Sequence, residues 1–256
     1  MTYCLGMLLD DGLVMIADTR TNAGVDNISS YRKLHCLANE PGRQIYVATS
    51  GNLSITQTVI SLLQEGLPAG DEAGLMARTL GQATSMFRAA QLVGEALQLA
   101  STTVGEALES LNIPAGASML LGGRIGTEAP KLYLIYEAGN FIECHPEVPF
   151  LQVGETKYGR PILDRALRRS TPIPQAVKIA FLSFDSSMRS NIAVARPLDL
   201  MIMRSDPKVP LLTRRIEADD AYFNDLSKRW SALLSEAARS IPNPDFLSEE
   251  IEPIYG

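Results

Sequence analysis

Histidine, cysteine and tryptophan are scarce in this 256-residue chain, which has two, three and one of them. With only His35 and His145, and no serine in a Gly-x-Ser-x-Gly setting, nothing points to a Ser-His-Asp hydrolase. His35, Cys36, Cys144 and His145 lack the spacing of metal ligands, so neither a metal nor a cofactor is expected. Cys4, Cys36 and Cys144 are odd in number and scattered through apolar segments, which indicates free thiols in a reducing cytoplasm, not a disulfide framework. Positive charge is not in excess: the net charge is −6, and no basic stripe is present to neutralise phosphates, so no nucleic-acid partner is expected. Apolar runs such as Leu13 to Ala17 are far too short for a bilayer. The N-terminus shows no basic region followed by an apolar core, so no membrane segment and no signal peptide are expected. Linker-like Gly/Ser/Pro blocks and internal repeats are also missing. A single domain over 1–240 is expected, with an extended, Pro- and acid-bearing tail over 241–256.

Hydrophobic residues make up 46% of the chain, enough for a real core. Thr2 to Leu9 and Gly12 to Asp18 read as a hairpin turning at Asp10-Asp11-Gly12. A polar loop, Thr19 to Ser30, follows. Lys33 to Leu37 and Gln44 to Thr49 form a second hairpin around Pro41-Gly42. Ile55, Val59, Ile60, Leu62 and Leu63 recur at helical spacing until Gly66-Leu67-Pro68. A further helical stretch runs from Asp71 to Ala100 with one break, and a short one covers Glu106 to Leu111. Strands return at 118–121, 131–136, 141–145 and 150–153, punctuated by Gly122-Gly123 and Glu137-Ala138-Gly139-Asn140. Helices are expected at 158–169 and 175–183, then a hairpin of 192–195 with 198–204 around Arg196-Pro197. A last helix over 218–239 carries Tyr222, Leu226, Trp230, Leu233 and Leu234 on one side. Blocks of strands and blocks of helices indicate an α+β fold, not alternating βα units.

The stretch that organises the chain is Met1 through Leu34. It holds Thr2-Tyr3-Cys4-Leu5-Gly6, then Gly12 through Gly24 with Asp18 at the end of an apolar strand, then Tyr31-Arg32-Lys33-Leu34. Taken singly, these are ordinary: many chains begin Met-Thr, a strand-end Asp makes turns, and a Lys sits at a strand edge. Together with Thr49-Ser50-Gly51, Val153-Gly154-Glu155-Thr156-Lys157-Tyr158-Gly159 and Ser183-Phe184-Asp185, the pattern resembles the proteasome β-subunit family of N-terminal-nucleophile hydrolases, and within it the bacterial Anbu (ancestral β-subunit) group.

The resemblance implies a four-layer αββα sandwich and a threonine nucleophile at Thr2, exposed by removal of Met1. An N-terminal threonine supplies both hydroxyl and base, because an α-amine with a pKa of roughly 8 is well placed to take the proton. By the same resemblance, Lys33 favours the alkoxide and keeps the amine less protonated, since a nearby like charge lowers an amine pKa. Asp18 holds Lys33. Arg32 is the neighbouring alternative, because the loop after Asp18 is one residue shorter than in typical proteasome β-subunits. A backbone N–H at Gly51 meets the oxyanion or the substrate backbone; the bland reading there is a strand-to-helix turn capped by Asn52. Glu155 stands where the family often has a serine, and Asp185 matches a supporting acid. Met188 replaces an expected serine, leaving Ser186, Ser187 and Ser190 as substitutes.

The implied function is a threonine amide hydrolase acting on peptides within a ring-like or helical homo-oligomer. The alternatives are a proteasome-like particle with little or no turnover, and a hydrolase of small amides. No sequence feature identifies an ATP-driven partner.

Overall fold

The computed structural model of the protein describes residues 2–22, 28–68 and 78–247. It falls into two compact units, Met1–Ala218 and Asp219–Gly256. In chain order the elements are β1 (Tyr3–Leu9), β2 (Gly12–Asp18), β3 (Arg20–Asn22), β4 (Ile28–Ser30), β5 (Leu34–Glu40), β6 (Arg43–Gly51), α1 (Leu53–Glu65), α2 (Met86–Ser110), β7 (Ala117–Ile125), β8 (Lys131–Ile135), β9 (Phe141–Glu143), β10 (Phe150–Gly154), α3 (Arg160–Ala166), α4 (Ile173–Ser190), β11 (Leu198–Arg204), β12 (Leu212–Ile216) and α5 (Ala221–Ser240). The fold is mixed α+β.

Two antiparallel five-stranded sheets carry the first unit, in the orders β10-β1-β2-β11-β12 and β5-β6-β7-β8-β9. Every residue of β1 and β2 is buried. A strand covered on both faces needs a continuous apolar run instead of alternation, and Leu13-Val14-Met15-Ile16-Ala17 supplies one. β6 and β7 show the period of two that splits side chains between faces. Ile45, Val47, Met119 and Leu121 pack with Ile55 and Val59 of α1 and Met86 and Val93 of α2. Their neighbours Tyr46, Ala48 and Leu120 join Cys4, Leu13, Met15 and Met201 in the core between the sheets. Each Val, Leu, Ile or Met among these contributes roughly 1.5–3 kcal/mol by burial. α4 lies against β1 and β2, and its Phe184 ring sits 4.3 Å from that of Tyr3.

Several expected boundaries shift. Gly122-Gly123 does not end a strand; β7 runs through it. A Cβ at Gly122 would come 2.5 Å from Met15 Sδ and 2.8 Å from Leu13 Cδ2, so the missing side chain lets the two sheets close together. The loop after Asp18 contains a short ribbon, Arg20 pairing with Ser30 and Thr21 with Ser29. The second helical stretch breaks between a 3-10 turn, Leu80–Gln82, and Met86, and from Met86 it runs on past Ala100 to Ser110; positions 71–77 lie outside the described residues. α4 is longer than expected, running to Ser190 with Asn191 as its C-cap. Residues 192–195 are not a strand: Ala193 N donates to Asn191 Oδ1 at 3.0 Å, turning the chain, and β11 pairs instead with β2 and β12.

In the second unit, Asp220 caps α5 by accepting from Phe223 N at 2.8 Å. Phe223 and Leu226 are buried, whereas Tyr222, Leu233 and Leu234 of the expected apolar side are exposed. Among the described residues, no helix is long and apolar enough to cross a membrane.

Candidate active site

The first strand hairpin carries Thr2 and Asp18 to the same end of the sheet, since Cys4 pairs with Ala17. Lys33 arrives from the second sheet, one residue before β5, where Thr49 N donates to its carbonyl at 2.9 Å. The three side chains are all buried. Asp18 Oδ1 accepts from both Lys33 Nζ, at 2.9 Å, and the amide of Tyr3, at 2.9 Å. Its Oδ2 accepts from Arg20 N at 3.2 Å. Lys33 Nζ also donates to the Arg20 carbonyl. One carboxylate oxygen therefore ties the residue after Thr2 to the lysine.

Burial pushes the Asp18 carboxyl above its ordinary range; the Lys33 ammonium is the main force opposing that rise, followed by the amides of Tyr3 and Ala195. Cys4 is no competitor as a nucleophile, because burial raises its thiol first and the Asp18 carboxylate raises it further.

Thr2, Lys33 and Gly51 line one cavity of about 330 Å³, together with Thr21, Thr49 and Ser50. Gly51 ends β6 at φ +110°, where a Cβ would fall 2.2 Å from the Gly116 carbonyl oxygen, so the turn at the cavity wall needs glycine. Asn52 caps the following helix through Ser54 N and Ile55 N; turn and cavity wall coexist. Arg32 is exposed and faces Asp199 at 3.9 Å, away from the Asp18 contact that Lys33 makes.

The supporting residues divide. Glu155 N donates to the Thr2 carbonyl at 2.6 Å, while its carboxylate accepts from Asn191 Nδ2 at 2.7 Å and Lys157 N at 3.2 Å. Asp185 is buried on α4 and paired with Arg189 at 3.1 Å. It does not line the Thr2 cavity. Ser190 is exposed at the end of α4. Ser183 and Ser187 are the buried serines of that helix.

Three participants escaped the sequence. Tyr3 supplies the amide that Asp18 holds, and its hydroxyl joins Ser183 Oγ at 2.7 Å. Arg20 gives Asp18 an amide and Lys33 a carbonyl. Gly154, at φ +85°, lies where a Cβ would sit 2.0 Å from the Thr2 carbonyl oxygen. Backbone contacts leave no side-chain pattern; a glycine ending a strand was the only visible sign. Among the described residues, no group of three or more His, Cys, Asp or Glu side chains could hold a metal ion.

Paired antiparallel sheets with a threonine, an aspartate and a lysine gathered at one end define a protein of the proteasome β-subunit type. No family model matches the chain, and no curated protein matches it. Solved structures do. The Gly-1 mutant of Anbu from Hyphomicrobium sp. strain MC1 is 41% identical, with a TM-score of 0.85 over 96% of this chain and 100% of that one. Anbu (ancestral beta-subunit) from Yersinia bercovieri is 38% identical, with a TM-score of 0.82 over 95% and 99%. The Anbu complex from Pseudomonas aeruginosa, described as a helical assembly, is 41% identical, with a TM-score of 0.85 over 95% and 98%. The chain belongs to the Anbu, or ancestral β-subunit, family.

Proposed function

We propose that the protein is a threonine N-terminal-nucleophile amide hydrolase that cleaves peptides within a homo-oligomer. The observation that carries this reading is the shared Asp18 Oδ1, which holds Lys33 Nζ and the Tyr3 amide beside Thr2 at the wall of one cavity. After Met1 is removed, the Thr2 Oγ–carbon bond forms as the hydroxyl proton moves to the Thr2 α-amine. The C–N bond then breaks as that proton passes to the leaving amine. Water hydrolyses the acyl ester and restores the hydroxyl. The Lys33 ammonium stabilises the developing oxyanionic oxygen of Thr2, and Asp18 keeps that ammonium in place. A backbone N–H at Gly51 serves the substrate carbonyl. Glu155 acts through its amide on the Thr2 carbonyl; Asp185 and Ser190 belong to the outer support of α4.

The layering that fits is αββα, with α4 outside the first sheet and α1 and α2 outside the second. Assembly follows the Pseudomonas aeruginosa relative, described as helical. Free thiols favour a cytoplasmic setting.

The test is the intact mass of the purified protein before and after a β-lactone or epoxyketone probe. One stoichiometric adduct on protein lacking Met1, absent in Thr2→Ala, is expected. A chain made to begin at Thr2 that still takes no adduct sinks the hydrolase reading and leaves an assembly without turnover.

A further inference from the structure

Across the end of β6 from the Thr2 cavity lies a second cavity of about 340 Å³. Ser50 and Gly51 line both. Ser118, Glu137, Gln152 and Thr156 are among its other walls. Among the described residues that line it, Glu137 is the only charged one. Its carboxylate lies over Gly116, where a Cβ would come 2.9 Å from Oε2. No ion pair neutralises it among the described residues.

Gln152 adds an acceptor, and its orientation follows from counting protons. Ser183 Oγ donates its single proton to the Gly159 carbonyl at 3.0 Å. The Tyr3 hydroxyl must then donate to Ser183 Oγ, at 2.7 Å. With that proton spent, Tyr3 can only accept from Gln152, which presents Nε2 at 2.7 Å. The chain of donors fixes the amide and leaves Oε1 without a partner, on a residue only 9% exposed. Buried acceptors are satisfied in most folded proteins. The wall therefore offers one bare carboxylate, that of Glu137, and behind it Gln152 keeps a buried acceptor without a partner.

We infer that this cavity takes the amine side of the substrate and selects a cationic side chain of lysine or arginine type there. The assignment of the amine side rests on the hydrolase reading: the Thr2 and Lys33 cavity holds the acyl part, and a chain crossing the strand end at Ser50–Gly51 enters the second cavity. Attraction at a partly open carboxylate is modest and falls with salt.

The experiment compares binding of lysinamide and norleucinamide to full-length Thr2→Ala protein, titrated by saturation-transfer NMR at low salt. The two probes share an α-amine and differ in the side-chain ammonium. Lysinamide binds about 1.5- to fivefold more tightly, the range expected of an exposed ion pair. The difference disappears when Glu137→Gln is added and reverses in favour of aspartamide with Glu137→Lys. Equal binding of the two probes, or a lysine preference that survives Glu137→Gln, overturns the inference. Binding at equilibrium needs no Thr2 hydroxyl, so failure of probe labelling at Thr2 sinks the hydrolase reading alone, and a missing lysine preference sinks this one alone.

Discussion

The carboxylates of two ion pairs stand on adjacent strands of the first sheet, one register step apart, because Leu198 lies opposite Asp18 and Asp199 opposite Ala17. Asp18 and Lys33 have side chains 0% and 6% exposed, and Asp199 and Arg215 have side chains 12% and 40% exposed. By geometry alone the outer pair is the better one. Arg215 reaches Asp199 with two nitrogens, at 2.8 and 2.9 Å, in a fork that suits a carboxylate. The inner pair has one contact of 2.9 Å and relies on backbone amides for the rest. Burying two charges costs several kcal/mol each before attraction repays it, so stability does not favour placing them inside. A dry site does make a charge act strongly on what lies beside it. The inner pair sits beside Thr2, where a fixed ammonium has chemistry to serve; the outer one fastens β11 to β12 and faces Arg32.

The sharpest way to break this contrast is Lys33→Met. It strands the Asp18 carboxylate without its cation and lowers stability by about 3–5 kcal/mol. Urea denaturation reads the loss. Adding Asp18→Asn, which keeps an acceptor for the Tyr3 amide, recovers most of that stability and none of the probe labelling. Should the single variant lose less than about 1 kcal/mol, the inner pair is not as dry as its burial says.

Much of the inner pair was legible before the fold was known. Thr2, Asp18 and Lys33 were each ordinary alone, and their resemblance in order and spacing to the proteasome β-subunit pattern brought them forward together. The apolar run at β2 announced a strand; that both its faces are covered came from the fold. What stayed hidden was of another kind. The shared Asp18 Oδ1 is a backbone contact to Tyr3, and any side chain at position 3 can supply that amide. The β12 strand, Leu212–Ile216, is an edge strand with four of five residues exposed, so it carried no apolar signal, and β11 was given the wrong partner. Gly122 looked like a turn because a glycine pair marks turns more often than it marks sheets in close contact. Of the three substitutes, Ser186, Ser187 and Ser190, helical phase leaves Ser190 exposed and turns Ser187 inward beside Ser183.

A smaller effect comes from Asp199→Asn. The outer pair is a surface interaction on its arginine side, so the expected loss is at most about 1 kcal/mol, and it shrinks as salt rises. Thr2 labelling is unchanged. A loss comparable to that of Lys33→Met would erase the distinction between the pairs and assign the outer one a role in holding the site together.

The smallest effect lies beside the outer pair, at His35. This side chain on β5 is pushed below its ordinary pKa, first by burial and then by the Arg32 guanidinium, with Asp199 pulling the other way. The folded protein therefore binds a proton there less readily than the unfolded chain. Above about pH 6.5 both states are neutral at this position and its contribution is complete. As pH falls below that value the unfolded state gains protons first, and stability is lost. The difference between the parent protein and His35→Gln, measured by denaturation from pH 7.5 to 5.5, isolates this slope from the carboxylates, which both proteins share. Removing the Asp199 charge leaves Arg32 unopposed and steepens the acid loss. Removing the Arg32 charge with Arg32→Gln flattens it. If neither variant changes the slope, the outer charges are too well solvated to reach His35. The field of that pair would then end at its own hydrogen bonds, and only the buried pair would act on its neighbours.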